Sequence, residues 1–214
     1  MKSKKICICY GTSNGATAKA ATMIKEKLSS ETNNIQIDIF NLYESGSPDW
    51  KKYDFLVLGS PTYYNGQLQD DWSQTVLNTA PNELENKQVA LFGLGDQESY
   101  CFTFVDSLGH LAHWLLKECQ AKLAGYWPVQ NYRQYEKLNC NHLDESEFII
   151  PPHLTSYSFE CSAALTTHQN QPAFYGLALD QYSQNEFTNA RISCWCENLI
   201  IDWNLNEYNK FNLL

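Results

Sequence analysis

The run Lys5-Ile6-Cys7-Ile8-Cys9-Tyr10, followed by Gly11-Thr12-Ser13-Asn14-Gly15-Ala16-Thr17, decides the class of fold. A short, continuous apolar run ending in glycine is the pattern of a strand covered on both faces, as in a parallel sheet. Beyond the loop, residues 17–28 place Ala20, Met23, Ile24 and Leu28 at helical spacing. The unit is therefore strand, glycine-containing loop, helix, and it recurs. Residues 54–60 (DFLVLGS), 88–93 (QVALFG), 121–127 and 173–180 are further short apolar runs. Ile35, Ile37 and Ile39 alternate with polar residues, as in a strand with one face more exposed. Between the strands, Leu68, Trp72 and Val76 form one helical stripe, Phe104, Leu108, Leu111 and Leu115 a second, and Ile192, Trp195, Leu199 and Trp203 a third. Strands alternating with helices need right-handed crossovers, which leave helices on both faces of a parallel sheet. The expectation is a doubly wound α/β fold.

At 214 residues the chain reads as a single domain over 1–214. A chain of this size buries about 70% of its unfolded surface and needs no disulfide or metal to hold a core. Hydrophobic residues are 43% and charged residues 18%, with mean hydropathy −0.43, which excludes disorder, coiled coil and collagen. No apolar run approaches the roughly 18 residues of a membrane helix. The amino terminus lacks the apolar stretch of about 7–15 residues that a secretory signal requires. The net charge of −9 repels nucleic acid and anionic membranes and steers the protein toward basic partners. Without a secretory signal, the eight cysteines read as reduced thiols of a cytoplasmic protein.

In an open parallel sheet, ligands bind beyond the carboxyl ends of the strands, so the chemistry is sought in the loops that follow them. After the first strand, Gly11 and Gly15 allow a tight turn, and Thr12, Ser13, Asn14 and Thr17 offer short polar side chains around Ala16. The helix that follows presents unpaired N–H groups, giving a phosphate cradle without a basic residue. It lacks the lysine of a Walker loop and is not GxGxxG, which argues against nucleoside triphosphates and NAD. After the third strand, Ser60-Pro61-Thr62-Tyr63-Tyr64-Asn65-Gly66 sets two tyrosines on a tight turn. After the fourth, Gly93-Leu94-Gly95-Asp96-Gln97-Glu98-Ser99-Tyr100 is a glycine-containing loop with an aromatic near its end. Tyrosines from the two loops could sandwich a flat ring system. A phosphate cradle beside two aromatic loops points to a flat heterocycle with one phosphate, and FMN is such a molecule.

At this point the sequence resembles the long-chain flavodoxins. The residues that carry the likeness are Tyr10-Gly11-Thr12 with Gly15 and Thr17, then Pro61-Thr62 with Gly66, Leu68, Gln69 and Trp72. Gly93, Gly95-Asp96-Gln97, Tyr100, Phe104 and Gly109 continue it. Gly125-Tyr126-Trp127-Pro128, Gly176-Leu177-Ala178-Leu179-Asp180, Arg191-Ile192 and Trp195-Cys196-Glu197 complete it. The resemblance implies a five-stranded parallel sheet in the order 2-1-3-4-5. It implies non-covalent FMN held by Thr12, Ser13, Asn14, Gly15, Ala16 and Thr17, by Pro61, Thr62, Tyr63, Tyr64, Asn65 and Gly66, and by Gly93, Leu94, Gly95, Asp96, Gln97 and Tyr100. It further implies a monomeric electron carrier with no catalytic or metal-ligating residue, shuttling low-potential electrons between a basic reductase and basic acceptor enzymes. FMN would pass through oxidised, semiquinone and hydroquinone forms, and acidic surroundings would disfavour the anionic hydroquinone. In the family, the peptide before the glycine of the tyrosine loop rearranges toward the flavin N5–H. Here that peptide joins Tyr64 and Asn65; Asn65 suits the positive φ expected there, and Asn65→Val should weaken the semiquinone.

Four positions depart from the family pattern. Tyr63 stands where tryptophan is common, Asn14 where threonine is, Tyr182 where aspartate is frequent, and Phe102 where a polar or acidic residue is usual. Two other functions fit the same sequence: a flavodoxin-fold binding module that has lost FMN, and an FMN-dependent reductase of a small molecule. Retained Thr12, Gly15, Thr17, Asp96 and Tyr100 weigh against the first, and the want of an NAD(P) motif or acid–base pair against the second.

Residues 128–172 break the strand–helix rhythm, and the resemblance identifies them as an enlarged insertion splitting the fifth strand. The segment reads either as a partner-docking element, for its apolar Phe148-Ile149-Ile150-Pro151-Pro152, or as a flap packed on the sheet edge. Cys140, His142, His153, Cys161 and His168 fit no zinc spacing. Cys7 and Cys9 share one strand face and read as small core residues, whereas Cys194 and Cys196 point to nearly opposite sides of a helix. His110 and His113 are expected on an exposed helical face.

Overall fold

The computed structural model describes residues 3–132 and 163–206. In chain order these form β1 (Lys5–Tyr10), α1 (Ala16–Glu31), β2 (Gln36–Asn41), α2 (Leu42–Ser45), β3 (Phe55–Tyr63), β4 (Gln67–Leu68) and α3 (Asp70–Asn78). Next come β5 (Gln88–Gly95), α4 (Ser107–His113, continued by a π turn over Trp114–Glu118), β6 (Lys122–Ala124) and β7 (Trp127–Pro128). β8 (Leu165–His168), β9 (Gln171–Phe174), β10 (Leu177–Asp180) and α5 (Thr188–Asp202) follow the second boundary. Residues 133–162, with Cys140, His142, His153, Cys161 and the apolar run at 148–152, lie outside the described residues, and so does most of the segment considered for docking.

The main sheet runs β10-β5-β3-β1-β2, parallel throughout that path, and this is the flavodoxin-like order 2-1-3-4-5. The last position is filled twice. β6 pairs with the start of β5 (Gln88↔Lys122 to Ala90↔Ala124), and β10 pairs with its end (Phe92↔Leu177 to Gly95↔Asp180). From β1 the chain moves outward to β2, then crosses back to β3 and proceeds to β5 on the other side. Right-handed crossovers in opposite directions place their helices on opposite faces. α1 packs with α5, and α4 packs on β3 and β5.

Burial explains the sequence pattern. Ile6, Cys7, Ile8 and Cys9 are all inaccessible, so both faces of β1 are covered, and the same holds for residues 56–58 of β3 and 89–92 of β5. Thr17, Ala20, Ala21, Ile24 and Leu28 form the buried stripe of α1. Trp50, Trp72 and Trp195 are the largest side chains fully inside. Two of them satisfy their indole N–H on a backbone carbonyl: Trp72 donates to Gly59 (2.7 Å) and Trp195 to Gly125 (2.7 Å). Cys7, Cys9, Cys119 and Cys196 are buried, and burial pushes each thiol up, Cys119 to about 11 and Cys196 to about 12.

Element boundaries depart from the sequence expectation where pairing extends a strand or a glycine breaks one. β3 continues through Pro61, Thr62 and Tyr63 because Ser60 and Pro61 still face Gly93 and Leu94 while Thr62 and Tyr63 pair antiparallel with Leu68 and Gln67. Leu94 and Gly95 are likewise strand residues, opposite Leu179 and Asp180. The run at 121–127 divides at Gly125 (φ 70°), where a Cβ would stand 2.8 Å from both Leu199 and Trp195. The run at 173–180 divides at Gly176, pressed onto the Leu91 carbonyl. Phe104 precedes α4 instead of opening it, yet it is fully buried, so the helical spacing reports the core and not the helix start.

β7, β9 and β8 make a separate antiparallel sheet. Its β8–β9 hairpin turns on Gln169 (φ 49°) and Asn170 (φ 62°), the two positive φ angles of a type I′ turn.

Candidate functional site

The parallel register aligns the strand ends. Tyr10 faces Gly59, Ser60 faces Gly93, and Gly95 faces Asp180, so the loops after β1, β3, β5 and β10 emerge side by side from one edge. The Gly11 N–H still donates to the Gly59 carbonyl (3.1 Å), joining the first two loops at their roots.

The first loop is folded by its own side chains. Thr12 Oγ1 accepts from Gly15 N–H (3.1 Å) and Asn14 Oδ1 from Ala16 N–H (3.2 Å). Gly15 sits at φ 85° as the N-cap of α1, and nothing lies within 4 Å of where a Cβ would stand, so the cradle is open on that side. The first turn of the 16-residue helix carries no acidic residue. Ser13, Asn14 and Gly15 are exposed, Thr12 and Ala16 half-buried, and Thr17 buried. With the Gly15 and Ala16 N–H groups taken by the loop's own side chains, what suits a phosphate is the positive end of the helix, free of a competing carboxylate, beside the exposed Ser13 and half-buried Thr12. Gly11 is closed in, its missing Cβ lying 2.2 Å from Gln69 Oε1 and 2.9 Å from Trp72 Cδ1.

The second loop is a turn at residues 64–66 on the β3–β4 pair. Its left-handed residues are Tyr64 (φ 45°) and Gly66 (φ 90°), not Asn65, which corrects the sequence expectation. Asn65 is exposed, and its two neighbours carry the turn. Tyr63 is half-buried and Tyr64 is 78% exposed, with their rings edge to face at 6.3 Å. Below the tip the turn is tied to α4. Thr62 Oγ1 donates to Ser107 Oγ (2.9 Å), Ser107 N–H donates to Thr62 Oγ1 (3.2 Å), and Ser107 Oγ also reaches the Ser60 carbonyl (3.3 Å).

In the third loop Asp96 Oδ1 accepts from Glu98 N–H (3.0 Å) and Ser99 N–H (3.1 Å), and Tyr100 N–H closes on the Asp96 carbonyl (3.0 Å). Gln97 is fully buried, and its N–H donates to Asp180 Oδ2 (3.2 Å). Asp180 is itself inaccessible. It also accepts from the N–H groups of Tyr182 and Ser183 (2.9 Å each) and from the Ser183 hydroxyl. Burial raises the Asp180 pKa, but the bonds from Ser183 and Gln97 outweigh it and hold the carboxyl below its ordinary range. Tyr100 is half-exposed, and no ring contact joins it to Tyr63 or Tyr64 among the described residues. Phe102 and Tyr182, two of the unusual positions, are exposed.

Every residue of the three predicted clusters therefore lies at the carboxyl edge of the sheet, with Pro61, Thr62, Tyr63, Gly93, Leu94 and Gly95 on strand ends and the rest in turns or at the start of α1. Two contributors escaped the sequence reading, and a third, Asp180, was read as part of the family likeness but not as a site residue. Asp180 and Ser107 act through bonds to partners 83 and 45 residues away, which no local motif announces. His110, expected on an exposed face, is instead half-buried with Nε2 2.9 Å from the Gly66 carbonyl. Burial lowers its pKa against the pull of that carbonyl, and His113 adds to the lowering. An open groove of about 410 Å³ between α1 and α5, lined by Met23, Lys27 and Ile192 among others, lies apart from this edge and shares none of its residues.

These loops on this sheet define a class of ligand-binding doubly wound protein, and comparison with known proteins narrows it. The Flavodoxin family model matches residues 8–126. The flavodoxin of Klebsiella pneumoniae is 30% identical over 202 residues, 94% of this chain and 96% of that one. Flavodoxin 2 of Escherichia coli strain K12 is 32% identical over 191 residues, 89% and 92% respectively. Among solved structures, Fusobacterium nucleatum flavodoxin bound to flavin mononucleotide superposes with a TM-score of 0.69 at 22% identity, over 93% of this chain and 98% of that one. The chain belongs to the flavodoxin family, electron-transfer proteins rather than enzymes.

Proposed function

We propose that this protein binds FMN without a covalent bond and carries electrons at low potential between a basic reductase and basic acceptor enzymes. The observation that carries the reading is the set of loops at one sheet edge: an open, uncharged anion cradle at Gly15 beside tyrosines on the neighbouring turns. Bound FMN supplies one- and two-electron redox chemistry.

The chain's own residues bind and orient it. The hydroxyls of Thr12, Ser13 and Thr17 and the helix-start N–H groups beyond Ala16 hold the phosphate, while Thr12 and Asn14 shape the loop by accepting the N–H groups of Gly15 and Ala16. Pro61, Thr62, Tyr63, Tyr64, Asn65 and Gly66 wall one side of the ring system. Gly93, Leu94, Gly95, Asp96, Gln97 and Tyr100 wall the other, with Gln97 and Asp180 fixing the second wall in place. The net charge of −9 works against added negative charge at the site and favours basic partners. No helix among the described residues is long and apolar enough to cross a membrane. The net charge of −9 keeps copies of the chain apart, which supports a monomer, and the free thiols among the described residues support a cytoplasmic protein. A single domain with residues 128–172 inserted between the halves of the last strand is supported by β6 and β10 both pairing with β5.

The test is the visible absorption of the purified protein, followed through stepwise reduction. A bound-flavin spectrum that changes in two one-electron steps is expected. A colourless protein that also fails to take up added FMN overturns the reading.

A further inference from the structure

We infer that His110 is a positioning residue that clamps the stem of the turn at residues 64–66 through the Gly66 carbonyl, and so sets how readily the peptide joining Tyr64 and Asn65 rearranges. This rests on the FMN reading for its redox consequence and on the geometry alone for the clamp.

A carbonyl only accepts, so His110 Nε2 must carry the hydrogen in the 2.9 Å contact with Gly66. The contact does not stand alone. Just before α4, Asp106 Oδ2 lies 2.9 Å from the position of a Gly66 Cβ, and Thr103 lies 3.2 Å from it. Ser107 holds Thr62 through both its N–H and its hydroxyl. The chain from Thr103 to His110 thus bonds the stem at the Gly66 carbonyl and at Thr62, and lies so close to Gly66 that a Cβ there would have no room. The tip is left free: Tyr64 is 78% exposed in a left-handed conformation that is costly for a side chain with a Cβ. A gripped stem under a free tip confines any rearrangement to the Tyr64–Asn65 peptide. Remove one grip and the motion spreads into Gly66 and the β4 pairing, so the clamp governs how strongly the tip can favour one arrangement over another. A histidine that merely filled space would be replaced without effect by an apolar side chain of similar size.

The experiment compares the wild type with His110→Leu, His110→Ala and His110→Gln. The first two lack a donor, alanine adds no bulk should leucine disturb folding, and glutamine keeps a donor. Amide hydrogen exchange of Asn65, Gly66 and Gln67 is measured without FMN, with the amides of α5 as the folding control. Loss of one hydrogen bond at a half-buried carbonyl should speed exchange at the turn about tenfold in His110→Leu and His110→Ala, with His110→Gln restoring it to within about threefold. In FMN-loaded protein, the midpoint potential of the first reduction step should move in the donor-less variants and return in His110→Gln. Turn exchange within twofold of wild type in both donor-less variants overturns the clamp. Faster exchange with an unmoved midpoint overturns its redox role. Wild-type protein that takes up no FMN overturns the function proposed above, and the exchange comparison still decides the clamp.

Discussion

Asp180 accepts the backbone N–H of Gln97 across 83 residues of sequence, and this bond joins the loop after β5 to the turn after β10 at the mouth of the site. Asp180→Asn keeps an acceptor for Tyr182 and Ser183 but puts an amide where Gln97 and the Ser183 hydroxyl donate. Hydrogen bonds to a charged acceptor contribute about 1.5–3 kcal/mol each, so a loss of roughly 2 kcal/mol in stability is expected by urea denaturation at pH 7. FMN affinity should fall with it, because Gln97 leaves its place. The pH dependence has a definite sign. The carboxyl is held below its ordinary value in the fold, so its contribution is complete above the unfolded pKa of about 3.9 and is lost as pH falls through the lower folded value. Wild-type stability should therefore fall more steeply below pH 4 than that of Asp180→Asn. Parallel acid profiles would refute the role given to this carboxylate.

Two glycines of the first loop should respond differently to alanine. At Gly15 a Cβ meets nothing but must adopt φ 85°, which costs about 1–2 kcal/mol, partly offset by the stiffer unfolded chain. About 1 kcal/mol of stability should be lost without FMN, and more in its presence, because the methyl group projects into the cradle. At Gly11 the Cβ would overlap Gln69 Oε1 beside Trp72 Cδ1, and both side chains are buried. Overpacking there should cost about 2–3 kcal/mol whether or not FMN is present. Urea titrations with and without FMN separate the two. An equal FMN effect on both variants would place the phosphate away from Gly15.

The turn at residues 64–66 gives a prediction opposite to the one its sequence invites. Asn65 tolerates positive φ, yet the strained residue is Tyr64. Valine at 65 should then fold without penalty, leaving stability within about 0.5 kcal/mol, whereas Tyr64→Val forces a β-branched residue into the left-handed region at a cost of about 1 kcal/mol or more. Both positions are exposed, and Tyr64→Phe, which keeps the edge-to-face contact with Tyr63, serves as the packing control. The reverse ranking in urea would return the left-handed residue to position 65.

How much of this was legible follows from how local each determinant is. The covered strands announced themselves because Ile6 to Cys9 and Val89 to Phe92 are apolar on both faces, and a glycine or serine closes each run. The placement of the three loops at one sheet edge was legible because each follows a buried strand and turns on glycines at short spacing. What stayed hidden depends on contacts made at long range. Pro61 and Leu94 looked like loop residues until paired with one another. His110 looked solvent-facing because the carbonyl it meets belongs to a turn 44 residues away. The β8–β9 hairpin did carry a signal, Gln169-Asn170 between two short runs, but Pro172 and the polar Thr166 and Thr167 obscured the strands around it.

Arg191, part of the carboxyl-terminal likeness to the family, is buried with no carboxylate bridged to it among the described residues. Its Nη2 donates to Gln184 Oε1 (2.6 Å), its guanidinium lies 4.1 Å from the Tyr132 ring centre and 5.4 Å from that of Phe187, and Nη1 has no hydrogen-bond partner among the described residues. The planar, weakly hydrated guanidinium is tolerated because it stacks on two rings. Tyr132 in turn donates to the Ala178 carbonyl and accepts from the Trp127 indole, so the stack braces β10 just before Asp180. A lysine keeps the charge but loses the stacking plane, and a buried ammonium is costly without a counter-charge. Methionine loses the charge and retains the packing. Arg191→Lys should therefore destabilise by about 2 kcal/mol or more and Arg191→Met by less than about 1 kcal/mol, measured by urea denaturation at pH 7. A lysine variant more stable than the methionine one would mean that charge, and not the ring stack, is what this position requires.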